Sequence, residues 1–159
     1  MKNFILTVLL ATSLLLVHQQ TADAQERGFG VGAVIGTPDG LSYKAWVSED
    51  AAVAGAVSFT ISNNASSFYT HADFLMHKFY EELNWEVGTL HYTYGGGVSM
   101  FWSDSTNDSI YGVRLPSGMG FIFTDVPVDM FFEIAPTIDV SPDFRFGFDG
   151  SLGFRFYLN

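Results

Sequence analysis

From Phe29 to Leu158 bulky apolar residues recur at every second position, and this period of two decides what the chain can fold into. A strand sends successive side chains to opposite faces. Each run here therefore has one bulky apolar face and one face of Gly, Ala, Ser and Thr with a few charges. Eight runs are separated by turn residues: Phe29–Gly36, Leu41–Val47, Ala52–Ile61, Phe68–His77, Leu90–Trp102, Tyr111–Phe123, Val128–Val140 and Phe144–Leu158. Ser62–Ser67 and Ser103–Ser109 read as polar loops, and Phe79–Glu86 as a linker. Most runs exceed the roughly 5–6 residues of an ordinary strand and match the ~9–11 of a tilted strand that crosses a bilayer. Short connections and the need to hide two sheet edges point to an all-β fold, an eight-stranded antiparallel up-and-down transmembrane β-barrel. Pro116 and Pro136 fall inside runs and read as bulges or near-rim positions, while Gly95-Gly96-Gly97 reads as a bend or a tight corner of the wall.

Met1–Ala24 has the layout of a secretory signal peptide: Lys2, then the apolar stretch Phe4–Val17, then Ala22-Asp23-Ala24 as a cleavage site. That leaves residues 25–159 as one barrel domain. The 159 residues include no cysteine, which excludes disulfide scaffolds, thiolate metal sites and thiol chemistry. Seven Lys and Arg against 17 Asp and Glu make nucleic acid an unsuitable partner.

Volume decides which face is inside. The interior of an eight-stranded barrel is just wide enough for side chains to fill it, so the bulky faces cannot all point inward. They point outward, where only lipid makes them stable. A soluble, lipocalin-like ligand-binding barrel would need the opposite arrangement.

The inward face carries Lys44, Arg114, Arg145 and Arg155 against Asp73, Glu133, Asp139 and Asp149, with His71, His77 and His91 beside them. Charges in a narrow lumen must pair, because desolvation is costly. The remaining acids fall at ends, turns and loops. Lys78 is the one charge on the outward phase, at a strand end where its stem can snorkel.

The run Gly32-Ala33-Val34-Ile35-Gly36-Thr37-Pro38-Asp39-Gly40-Leu41-Ser42-Tyr43-Lys44-Ala45-Trp46 resembles the first hairpin of a family of small bacterial outer-membrane β-barrels, as do His71-Ala72-Asp73 and Gly112-Val113-Arg114-Leu115-Pro116. The resemblance implies a fold similar to the transmembrane domain of outer membrane protein A, location in a Gram-negative outer membrane, and no particular activity. The C-terminal strand resembles a barrel-assembly signal, with Ser151, Gly153 and Phe156 in place and Leu158 where an aromatic residue is usual. It implies the outer-membrane barrel-assembly machinery and membrane lipid as partners of a monomer.

Candidate chemistry is sparse. His71, Asp73 and His77 share a strand face and are of zinc-ligand type. Residues six apart on a strand lie ~20 Å apart, so one ion cannot bridge His71 and His77, and the reading is a hydrogen-bonded lumen network. Some barrels of this size are lipid A acyltransferases or deacylases that need a Ser–His pair. Ser58, Ser67, Ser99, His71 and His91 are present, but no spacing singles out a pair. The expectation is a structural or interaction protein with a plugged polar lumen and no catalytic, cofactor or metal site.

Overall fold

The computed structural model describes residues 28–61, 66–104 and 109–158. The proposed signal peptide Met1–Ala24, the middles of the two polar loops and Asn159 lie outside these residues. The described residues form nine strands and no helix: β1 (Phe29–Gly36), β2 (Gly40–Trp46), β3 (Ala51–Ile61), β4 (Ser66–Trp85), β5 (Gly88–Ser103), β6 (Ser109–Arg114), β7 (Ser117–Phe123), β8 (Val128–Ser141) and β9 (Arg145–Leu158). Strands β1 to β5 pair antiparallel in chain order, β6 and β7 each pair with β5 and β8, β8 pairs with β9, and β9 with β1, so the sheet closes on itself. No edge is left over in this ring.

β6 and β7 are two halves of one wall strand. Both lie between β5 and β8, and the register is the same before and after the gap: Arg114 faces Gly97 and Thr137, and Ser117 faces Tyr94 and Ile134. The ring therefore has eight wall positions. Pro116 and Pro136 are neither bulges nor rim residues, which corrects the sequence reading. Leu115 N–H still donates to the Pro136 carbonyl and Gly95 N–H to the Pro116 carbonyl, each at 3.0 Å. Each proline lacks the N–H that would return the bond, so the ladder is interrupted while the strand runs on.

Two further readings need correction. Phe79–Glu86 is not a linker, because β4 continues to Trp85 and pairs with β5 across a register shift between Phe79 and Asn84. Glu81-Glu82 breaks the apolar alternation there, which hid the strand. Gly95–Gly97 is likewise no corner: β5 runs unbroken through it.

The wall is bulky outside and small inside. Phe132 is 52% exposed, Phe148 75% and Phe146 86%, whereas Ala52, Ala54, Ala56 and Ala135 are buried. The buried apolar core is correspondingly slight, chiefly Trp46, Ala52 and Tyr157 with Phe79 and Ile122 against them.

The β1–β2 connection depends on two glycines. Gly36 (φ 121°) and Gly40 (φ 152°) adopt left-handed backbone, and a Cβ on Gly36 would also collide with the Gly150 carbonyl oxygen. Gly36→Ala is expected to cost about 1–3 kcal/mol of backbone strain. Gly150→Ala, where nothing lies within 4 Å, should stay within about 0.5 kcal/mol of the unaltered protein. Urea unfolding of the two variants in lipid vesicles checks the contrast.

Candidate functional site

The inward phase places its charges in three layers. At the end away from the termini, Arg145 and Asp139 face each other across β8 and β9 with Nε–Oδ2 at 3.6 Å, and the Arg145 side chain is 61% exposed. This pair stands apart, at the rim.

The middle layer is built on Arg114, which is 1% exposed. Its Nε donates to both Asp73 carboxylate oxygens at 3.2 Å, and its Nη2 to Glu133 at 2.8 Å. Its Nη1 donates to the Tyr69 hydroxyl at 3.0 Å and to Asp149. One planar guanidinium thus joins β6 to β4, β8 and β9, which its fork of five N–H donors makes possible. Gly97 makes room for this: a Cβ there would collide with the Asp73 carboxylate. His71 lies against the layer with Nε2 3.6 Å from Asp73 Oδ2. Its Nδ1 is buried with no hydrogen-bond partner.

The third layer, nearer the termini, is built on Asp129, which is fully buried. Lys44 Nζ reaches its Oδ2 at 3.3 Å, Arg155 Nη1 at 3.6 Å and the Tyr157 hydroxyl at 2.7 Å. Each cation also lies on a ring, Lys44 4.3 Å from the Trp46 centroid and Arg155 3.7 Å from that of Phe131. Arg155 Nε donates to Ser42 Oγ at 2.8 Å. Ser42, Lys44 and Trp46, three residues of the first-hairpin motif, are thereby the inner face of β2. The sequence reading leaves Asp129 among the acids of ends, turns and loops. It follows Pro127 by two residues, yet it falls on the inward phase of β8.

His77 and His91 are buried on the inward phase. They sit in a ring cluster with Trp46 and Phe79: His77 is 4.2 Å from Trp46 and 5.3 Å from His91, centroid to centroid. On the last strand Ser151 and Gly153 face the lumen, and Phe156 and Leu158 face out. Ser99 stands opposite His71 on β5, but the unpartnered His71 Nδ1 shows that no Ser–His bond is made through that nitrogen.

The middle layer fixes two expectations. Arg114→Met strands two buried carboxylates, Asp73 and Glu133, and the partly exposed Asp149, and should destabilise the barrel by about 3–5 kcal/mol, the cost of breaking a buried ion pair from one side. In double-mutant cycles with Glu133→Gln, Arg114 should couple by more than about 0.5 kcal/mol, whereas Arg145 at the rim should not couple. Unfolding in lipid vesicles, followed by tryptophan fluorescence, measures both.

No known protein family and no curated protein matches this chain. Among solved structures, the crystal structure of Ail, the attachment invasion locus protein of Yersinia pestis, is similar at 14% identity over 82% of this chain and 94% of that one, with a TM-score of 0.34. So distant a likeness transfers nothing about function.

Proposed function

We propose that this chain is a small outer-membrane β-barrel protein whose lumen is plugged by its own side chains, with a structural or interaction role and without catalysis or conduction. The observation that carries the reading is the girdle of large apolar side chains facing outward all round a closed eight-position wall. Soluble monomers rarely expose apolar patches beyond a few hundred Å², and lipid is the environment in which such a face is stable. Lys78, the outward charge, sits two residues past Met76, where β3 ends against β4. Two charge layers and a ring cluster fill the lumen, which supports a closed interior. In this reading both termini lie in the periplasm, the protein is a monomer delivered by a signal peptide, and β9 is what the barrel-assembly machinery receives.

Fractionation of cells producing the full chain is expected to place a product lacking residues 1–24 in the outer membrane, with slower gel mobility after boiling. Recovery from the soluble periplasm without detergent would overturn the reading. Phe132→Arg should destabilise the barrel in bilayers by about 2–4 kcal/mol if it lies near the midplane, while Thr137→Ser on the inner face should be nearly silent. In planar bilayers the unaltered barrel should show no steady ion conductance, and lipid A acyl patterns should be the same with and without the gene.

A further inference from the structure

The middle layer is unbalanced. Asp73, Glu133 and Asp149 bring three carboxylates to one guanidinium, all four side chains at most 14% exposed. The nearby Arg155 is already engaged by Asp129 and Ser42. Beside the carboxylates is His71, 7% exposed, with Nδ1 lacking a hydrogen-bond partner and Nε2 too far from Asp73 for a good one. One ligand-type atom from each of His71, Asp73 and Glu133 lies within 4.8 Å of the other two. The same three residues line an internal cavity with room for one water-sized particle.

We propose that His71, Asp73 and Glu133 form a binding site for a single divalent transition-metal ion of the zinc class, with the cavity holding a water as fourth ligand. An imidazole nitrogen with two carboxylate oxygens is a mixed N/O donor set that suits zinc, whereas calcium takes 6–8 oxygens. A four-coordinate ion with bonds of ~2.0–2.2 Å holds its ligand atoms about 3.4 Å apart, so the three side chains close in on it by small rotamer changes. Arg114 then keeps Asp149 and Tyr69, and the ion supplies the positive charge that the layer lacks. His71 and Asp73 are neighbours on β4. The third ligand comes from β8, and closure of the barrel brings it across the lumen.

The test uses the full barrel domain, residues 25–159 without a polyhistidine tag, refolded in detergent and checked for folding by gel mobility before and after boiling. It is titrated with Zn²⁺ alone and with Co²⁺ alone. One ion per barrel is expected to bind. In folded His71→Ala and Glu133→Gln the affinity should fall about 100-fold or more, since losing even an outer-shell partner costs about 10- to 100-fold. Asp139→Asn at the rim should bind like the unaltered chain. Co²⁺ in the unaltered barrel should give the intense visible absorption of a four-coordinate site, a readout that needs no variant to fold. Absence of saturable binding, binding that survives His71→Ala, or the weak spectrum of hydrated Co²⁺ overturns the proposal, and each leaves the membrane reading to its own tests.

Discussion

An eight-position wall encloses a space about one side chain wide, and most of this structure follows from that width. Large residues on the inner phase must be few, and each needs a small neighbour: Gly97 beside Asp73, Gly120 beside the His91 ring, Gly153 beside the Phe131 ring. Charges on that phase lose most of their water and must find one another. They gather round two hubs of opposite sign, Arg114 and Asp129. Each hub draws together strands that are far apart in the chain: Arg114 is 41 residues from Asp73, and Asp129 is 85 from Lys44. The hubs therefore act as cross-braces inside a cylinder whose wall is held by backbone hydrogen bonds.

The same width removes the usual source of stability. A domain of this size ordinarily buries its large apolar residues within itself, at roughly 25 cal/mol per Å². Here they face outward, and the interior offers alanine, glycine and ion pairs. Buried ion pairs are weak contributors when whole and costly when broken. The hubs thus define the register and the cross-section more than they lower the free energy. The energy that apolar burial supplies elsewhere has to come from what surrounds the girdle.

Alternation alone made the wall and its two faces readable, because a period of two assigns every residue of a strand to a side once one residue is assigned. What escaped was whatever breaks or exceeds that period. Glu81-Glu82 interrupted the alternation and disguised the end of β4. Asp129 stands second in β8, two residues past Pro127, and so reads with the acids of ends, turns and loops. Pro116 and Pro136 suggest irregularity, yet they sit diagonally across one gap, with Pro136 facing Leu115, and leave the register intact. Along the ladder Arg114 stands opposite Thr137, four residues from Glu133. The two long side chains close that offset to 2.8 Å. Contacts across the lumen, such as His71 near Glu133, leave no local trace in sequence, because they exist only once β1 has met β9.

The two ends of the lumen differ in chemistry, and the difference gives the middle layer a direction. Toward the termini, Asp129 is enclosed by two cations that themselves lie on Trp46 and Phe131, with His77, Phe79 and His91 stacked beyond. Rings and paired charges leave water little to bond with on that side. Toward the other end, Ser99, Thr137, Asp139 and Asp149 are partly exposed and the Asp139–Arg145 pair is open to solvent. The middle layer therefore has partly exposed polar side chains on the side away from the termini and buried, paired charges among rings on the other.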